Sequence, residues 1–193
     1  MEEKLRNLTF IVILGFVILG ILIIGLYFKD GVSTNNNNSN NNGSNSSTES
    51  YDVSKMNEVD VDEALALFEE DGIHVIYIGR SGCTYCRQFV PVLNQVQEEL
   101  NFTTNYLNVD TFSKIWSSNL TSEAKELKEK VQELTDKFTV EASANGETGK
   151  LGDLFIENGF TPVLIVIKDG KVVEGFFGYR DADNLTEILE EYL

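Results

Sequence analysis

Short apolar runs from Val53 onwards predict the strands of one sheet. The runs lie at 53–56, 73–79, 103–110, 163–167 and 171–177. Asp169-Gly170 separates the last two runs and favours a tight turn, so these two strands are predicted to form an antiparallel hairpin. The earlier runs alternate with helical patterns, which is typical of parallel strands joined by crossover helices. The chain is therefore predicted to have an α/β fold with a mixed central sheet flanked by helices.

Apolar residues spaced three or four positions apart predict the flanking helices. One helix starts near Val61 and ends at Gly72, a second follows Cys86, a third covers about Ser122–Lys137, and a fourth closes the chain. Their apolar faces comprise Val61, Leu65 and Phe68; Phe89, Leu93, Val96 and Leu100; Leu120, Ala124, Leu127, Val131, Leu134 and Phe138; and Leu185, Ile188, Leu189 and Tyr192.

The third helix belongs to an insertion at about 111–150. Its apolar stripe is interpreted as packing on the domain's own core, with a partner-binding face as the alternative. Trp116, just ahead of this helix, is either an anchor or a core filler. The stretch 146–152 is predicted to be a loop.

A different pattern occupies the N-terminus, where Leu8 to Phe28 is an uncharged apolar stretch. At about 1.5 Å per residue a helix of this length spans the roughly 30 Å hydrocarbon core of a bilayer. A cleaved signal peptide is the alternative, but the run exceeds the usual h-region of about 7–15 residues and no Ala-x-Ala-like site follows it. Lys4 and Arg6 precede the stretch and Lys29 alone follows it closely, so residues 1–7 are predicted to be cytoplasmic. The protein is thus expected to be a single-pass cell-membrane protein with an extracytoplasmic domain.

Residues 29–52 are predicted to be a flexible linker, because Ser33 to Ser50 is nearly all Asn, Ser, Thr and Gly. A coil of this length reaches about 23–25 Å. The remaining 53–193 has the size of one ordinary domain. The formal net charge of −16 argues against nucleic acid or anionic lipid as a partner and favours solubility.

The only two cysteines of the chain stand in Cys83-Thr84-Tyr85-Cys86, after an apolar strand and at the start of a helical pattern. Unpaired N–H groups and the helix dipole at that position stabilise a thiolate on Cys83, which favours thiol redox chemistry. A metal site is the alternative, but the one histidine, His74, lies inside a strand, so no metal or cofactor is expected. Arg80 and Arg87 flank the motif as further thiolate stabilisers or, the preferred interpretation, as solvated surface charges.

Two prolines extend this pattern. Pro91 lies five residues beyond Cys86, and Phe160-Thr161-Pro162 precedes the final hairpin. With this order of motifs, 53–193 resembles the thioredoxin superfamily apart from the insertion. The segment Gly79 to Pro91 is most similar to membrane-anchored bacterial thioredoxin-like proteins of the bacteriocin transport accessory type.

The resemblance implies roles for several residues. Cys83 would be the nucleophile and Cys86 the resolving cysteine of thiol–disulfide exchange. The Thr161–Pro162 bond would be cis, with an ordinary trans turn proline as the alternative, and Thr161, Pro162 and Tyr85 would contact the substrate. The expected partners are proteins with thiols or disulfides, and a membrane redox partner or exporter.

Three positions depart from the superfamily's pattern. Tyr77 replaces the buried Asp that many thioredoxins carry six residues before the first cysteine, so a carboxylate that assists Cys86 deprotonation is missing there. Gly82 replaces the familiar Trp, and Tyr85 replaces a Pro between the cysteines. The redox potential of thioredoxin therefore does not transfer to this chain, and both reductase and oxidase or isomerase directions are compatible with the sequence.

The sequence thus predicts a membrane-anchored extracytoplasmic thiol–disulfide oxidoreductase that acts on exported or membrane proteins. The alternative is a non-catalytic accessory or scaffold protein in peptide export, in which Cys83 and Cys86 form a structural disulfide.

Overall fold

The computed structural model describes residues 51–193. The predicted transmembrane helix and nearly all of the predicted linker lie outside the described residues. Within 51–193, none of the helices combines the length and apolar character needed to cross a bilayer.

Five strands form the central sheet of the domain. They are β1 (Asn57–Val59), β2 (Ile73–Gly79), β3 (Thr104–Asn108), β6 (Val163–Lys168) and β7 (Lys171–Phe177), in the spatial order β1-β3-β2-β6-β7. The first three are parallel, and β6 pairs antiparallel with both β2 and β7. The predicted α/β fold with a mixed sheet is confirmed, and β2 has the predicted bounds.

Five α-helices accompany the sheet in this part of the chain. They are α1 (Val61–Ala66), α2 (Thr84–Glu99), α3 (Ser122–Asp136), α4 (Leu151–Asn158) and α5 (Ala182–Glu190). A 3-10 helix, Asp110–Trp116, follows β3, and a separate hairpin consists of β4 (Glu141–Ala144) and β5 (Glu147–Lys150).

Two element boundaries near the start of the domain differ from the prediction. The strand predicted at 53–56 lies at β1 instead, because the Met56 N–H donates to the Val53 carbonyl and closes a turn there. The first helix ends at Ala66, well before Gly72. Gly72 has a positive φ of 98° and meets the β6–β7 turn, where its N–H donates to the Asp169 carboxylate at 3.0 Å. Gly72, which the sequence predicts to end a helix, therefore lies in the turn that leads into β2.

Side chains of β2 alternate between two apolar cores on opposite faces of the sheet. Ile76 and Ile78 lie in the core that includes α1, α3 and α4. Val75 and Tyr77 lie in the core that includes α2 and α5. All four side chains are essentially inaccessible to solvent, so β2 forms the centre of the domain.

The inserted helix α3 is part of the domain's own core. Val131, Leu134 and Phe138 are buried there, which confirms the preferred interpretation of the stripe. Trp116 is held within the domain, since its indole N–H donates to the Ile156 carbonyl at 2.9 Å and its ring meets Phe155 edge-on.

The loop predicted at 146–152 is wrong. Those residues comprise strand β5 and the first turn of α4. Asn145 and Gly146, with φ of 50° and 87°, form the turn between β4 and β5. Asn-Gly is the dipeptide that two-residue hairpin turns favour, so the sequence does carry the signal for this hairpin.

Candidate active site

The two cysteines lie at the junction between the end of β2 and the first turn of α2. Cys83 is the N-cap residue of α2, and its sulfur accepts a hydrogen bond from the Cys86 backbone N–H at 3.1 Å. Cys83 is partly exposed, whereas Cys86 is 0% exposed. Only Cys83 can therefore meet a substrate directly.

The two thiols also differ in pKa. The hydrogen bond from the Cys86 thiol is the largest cause that lowers the pKa of Cys83, to about 5. Burial opposes this shift, and Thr161 and the backbone N–H groups of Cys86 and Tyr85 lower the pKa further. The hydrogen bond to Cys83, followed by burial, raises the pKa of Cys86. At neutral pH the reduced site thus holds a thiolate at Cys83 and a thiol at Cys86.

The segment before β6 lies next to the nucleophile, Cys83. The Thr161–Pro162 bond is cis, as the resemblance implies. The Thr161 carbonyl oxygen lies 3.5 Å from the Cys83 sulfur and accepts its hydrogen bond when Cys83 is protonated. Pro162 is buried and Thr161 partly exposed. The structure therefore brings the C-x-x-C loop and the Thr161-Pro162 segment together.

A groove of about 560 Å³ runs beside Thr161. Tyr85, 63% exposed, forms one side, and Tyr179 and Arg180 from the segment after β7 contribute to it. The end of β4 supplies Ser143 and Ala144, and the turn after it supplies Asn145. Tyr85 and Thr161 were predicted from the sequence, whereas the hairpin residues were missed with the hairpin itself.

Other residues that the sequence suggested lie outside the reacting pair. The side chains of Arg80 and Arg87 are exposed, in keeping with their interpretation as surface charges. His74 Nε2 lies 3.7 Å from a Glu70 carboxylate oxygen. Within 51–193 no group of three or more His, Cys, Asp or Glu side chains is arranged to hold a metal ion.

Tyr77, at the position where the resemblance implies an Asp, is fully buried in the core that includes α2 and α5. Its hydroxyl donates to the Tyr51 hydroxyl at 3.4 Å, and the Tyr51 hydroxyl donates to the Tyr106 hydroxyl at 2.8 Å. Burial raises the pKa of Tyr77, and interaction with Cys86 raises it further. Tyr51 and Tyr106 were not predicted as site residues, because nothing in the local sequence connects them to the cysteines.

Comparison with known proteins points to one class. No protein-family model matches the chain. Thioredoxins of Listeria monocytogenes and Listeria innocua are each 26% identical to it over 132 residues, which cover 66% of this chain and 93% of theirs. A solved structure of Plasmodium falciparum thioredoxin aligns with 72% of this chain and 100% of that one, at 16% identity and a TM-score of 0.44. The sequence similarity to thioredoxins and the closeness of Cys83 and Cys86 in space support the thioredoxin superfamily and thiol–disulfide oxidoreductase activity for this chain.

Proposed function

We propose that the protein is a membrane-anchored, extracytoplasmic thiol–disulfide oxidoreductase that acts on exported or membrane proteins. The observation that carries the chemistry is the contrast between Cys83, reachable and low in pKa, and Cys86, buried and high in pKa. The apolar stretch Leu8–Phe28 and the charges around it support the anchor and its orientation. The resemblance of Gly79–Pro91 to bacteriocin transport accessory proteins supports the same placement.

In the reducing direction the Cys83 thiolate attacks one sulfur of a substrate disulfide. The Cys83–substrate bond forms, the substrate S–S bond breaks, and the departing thiolate takes up a proton. Cys86 then loses its proton and attacks the Cys83 sulfur, which releases the second substrate thiolate. The protein ends as the Cys83–Cys86 disulfide and the substrate has gained two electrons; the oxidising direction is the reverse.

Substrate positioning falls to the residues around Cys83. The Thr161 backbone lies next to the attacking sulfur, so an extended segment that pairs with this backbone would bring its own disulfide onto Cys83. Tyr85 offers exposed aromatic surface beside it. A polypeptide in an extended conformation fits this arrangement.

The catalytic proposal is tested with the full chain and a disulfide-bonded model protein. Cys83→Ser should abolish exchange, whereas Cys86→Ser should still attack and accumulate a mixed disulfide that mass spectrometry detects. Tyr192→Phe, just beyond the end of α5, is the matched control and should exchange like the wild type. Full turnover by Cys83→Ser would sink the proposal.

The location is tested separately. After mild reduction of intact cells, a membrane-impermeant thiol reagent should label Cys83. Labelling that requires permeabilised cells would place the domain on the cytoplasmic side and favour a reducing role there.

A further inference from the structure

The inserted hairpin β4–β5 forms one wall of the groove beside the nucleophile. Ser143 and Ala144 of β4 and Asn145 of the turn line this groove together with Thr161, whereas β5, which lies wholly within the described residues, contributes none. β4 is therefore the strand of the hairpin that faces the groove. The groove volume of about 560 Å³ lies in the range of pockets that hold a ligand.

The backbone of Ser143 points away from β5. The turn residues Asn145-Gly146 both have a positive φ, and Ala144 lies opposite Glu147, so the hairpin has a two-residue turn of type I′. Such a turn closes on a pair that exchanges backbone hydrogen bonds, and the next pair along an antiparallel ladder does not. That next pair is Ser143 and Thr148, whose hydroxyl oxygens lie 2.8 Å apart. The N–H and C=O of Ser143 are therefore directed to the outer edge of β4.

This outer edge is unpaired in the described part of the chain. β4 belongs to a two-stranded sheet with β5, and the Ser143 backbone makes no backbone hydrogen bond to any other residue within 51–193. Ser143 is also exposed. An exposed strand edge of this kind accepts a further extended chain through backbone hydrogen bonds. Thr161, whose carbonyl oxygen lies 3.5 Å from the Cys83 sulfur, lines the same groove, so a chain held by β4 would lie beside the nucleophile.

The groove also contains a positive charge. Arg180 is the only charged residue among the described residues that line it, in a chain of net charge −16. Its guanidinium packs over the Phe176 ring at 4.4 Å, and its Nη1 donates to the carbonyls of Phe177 and Tyr179 at 3.3 and 3.0 Å. These contacts hold the guanidinium in place at the groove.

The charge of Arg180 is not neutralised within 51–193. It forms no ion pair with a described residue, and the carboxylate of the neighbouring Asp181 caps the start of α5 instead. Nε and Nη2 of Arg180 donate no hydrogen bond to another described residue. A guanidinium with two donors available in one plane binds a carboxylate through two parallel hydrogen bonds.

We propose that the groove binds an extended, acidic segment of the substrate as a third strand on the outer edge of β4, with a carboxylate of that segment on Arg180. This inference rests on the exchange function proposed above and names the class of substrate. The substrates are proteins whose disulfide lies in an exposed, extended stretch that carries Asp or Glu. The Thr161 backbone aligns the disulfide on Cys83, and β4 holds the residues that flank it.

The strand pairing is tested with Ser143→Pro and Thr148→Pro in the full chain. Each substitution removes one backbone N–H and one hydroxyl of the same hydrogen-bonded pair, but Ser143 lies on the edge toward the groove and Thr148 on the opposite edge. Neither N–H takes part in the β4–β5 ladder, so both variants should keep the hairpin. The probe is a peptide with one central cysteine that is linked to a second copy of itself by a disulfide. Acid quenching and mass spectrometry give the rate constant for its reduction by the pre-reduced protein.

Ser143→Pro should lower this rate constant by about three- to tenfold, as expected for the loss of one hydrogen bond to the substrate. Thr148→Pro should stay within about twofold of the wild type. Reduction of hydroxyethyl disulfide, which is too small to pair with β4, should be unchanged in both variants. Equal losses in the two proline variants would overturn the pairing.

The charge is tested with two versions of the peptide, in which the residues that flank the cysteine are all Glu or all Gln. Each rate constant is divided by that of the same peptide with dithiothreitol, which corrects for the intrinsic reactivity of the disulfide. At low ionic strength the wild type should prefer the Glu peptide by about two- to fivefold, as expected for a partly exposed ion pair. Arg180→Gln should bring this ratio close to one. Lys171→Gln, which removes an exposed charge at the opposite end of β7 and gives the same net charge, should keep the wild-type ratio.

Different failures have different meanings. A wild type that reduces neither hydroxyethyl disulfide nor the peptides would contradict the proposed function itself. A wild type that reduces hydroxyethyl disulfide but does not prefer the Glu peptide would overturn the acidic class of substrate, and an unchanged rate in Ser143→Pro would overturn the strand pairing. If Ser143→Pro loses the wild-type circular dichroism spectrum, Arg180→Gln decides, because a ratio as high as that of Lys171→Gln overturns the inference.

Discussion

The backbone N–H of Cys86 donates to the sulfur of Cys83 at 3.1 Å, so the resolving residue helps to ionise the nucleophile. The same first turn of α2 that presents Cys83 to solvent buries Cys86. A helix N-terminus favours negative charge at Cys83. Within this one turn of the helix, the pKa of Cys83 is therefore lowered and the pKa of Cys86 is raised.

The alkylation rate of Cys83 should change with pH over a lower pH range than that of an ordinary cysteine. Because its pKa is lowered from 9.0 to about 5, the thiolate is present above about pH 5 and is lost as the pH falls through that value. Iodoacetamide alkylation of the reduced full chain should rise between about pH 4 and 6 and stay level through pH 8. A rate that still rises tenfold per pH unit above 7 would contradict the lowered pKa.

Removal of the Cys86 thiol should make Cys83 less acidic. The hydrogen bond from the Cys86 thiol is the largest cause of the low pKa of Cys83. Cys86→Ala removes this thiol, whereas the hydrogen bond from the Cys86 backbone N–H at the N-cap is retained. The midpoint of the alkylation profile should move upward by about one pH unit, equivalent to about 1.4 kcal/mol. Arg87→Ala, which changes an exposed charge in the same turn, is a control that should leave the midpoint nearer to the wild type; equal shifts in both variants would assign the effect to charge and not to the thiol.

The sequence predicted the centre of the fold better than its periphery. Strand β2 is a continuous apolar run buried on both faces of the sheet. The ends of such a run mark the ends of the strand in the sequence. The last hairpin was predicted equally well from Asp169-Gly170. The β4–β5 hairpin was missed because its strands are short and mostly polar, so neither period of apolar residues marks them.

The site was predictable only where it is local in sequence. Cys83 and Cys86 share one turn, and a proline before a hairpin can be found by inspection. By contrast, Tyr51 and Tyr106 are hydrogen-bonded across 55 positions of the chain, and only the pairing of β3 with β2 brings Tyr106 beside Tyr77. A contact that depends on sheet register leaves no signal in a single sequence.

Tyr85 should matter for protein substrates and not for small reagents. Its side chain is 63% exposed and lines the groove beside Thr161, where a polypeptide could cover it. Tyr85→Ala should lower kcat/KM for a disulfide-bonded protein by about five- to tenfold, as expected from the loss of about 1–1.4 kcal/mol of apolar contact. Alkylation of Cys83 by iodoacetamide should change little.

Leu193→Ala removes another exposed apolar side chain, away from the groove, and serves as the control for that experiment. It should keep the wild-type kcat/KM. An equal loss in both variants would show that the effect is not specific to the groove.

The inserted helix should be essential to the stability of the domain. Leu134 is 1% exposed within the core shared with β2, so Leu134→Ala should cost about 2–5 kcal/mol of unfolding free energy. Glu129→Ala, on the exposed face of the same helix, should change stability by less than about 0.5 kcal/mol. Denaturant unfolding followed by circular dichroism measures both. Similar small effects of the two variants would mean that α3 is an appendage and not part of the core.

Gly152 should be irreplaceable for a purely steric reason. A Cβ atom at this position, in the first turn of α4, would lie 1.9 Å from the Thr135 carbonyl oxygen, which belongs to the backbone of α3 and cannot rotate away. Gly152→Ala must therefore separate the two helices, and we expect it to destabilise the domain by about 1–3 kcal/mol or more, the usual range for overpacking. Gly149→Ala, where the nearest atom to the new Cβ would be 3.9 Å away, is the matched control and should be nearly neutral.

Because α4 leads directly to Thr161, Gly152→Ala should also slow the exchange of Cys83 with protein disulfides. A variant that is destabilised yet exchanges at the wild-type rate would show that the contact between the two helices does not position the Thr161-Pro162 segment.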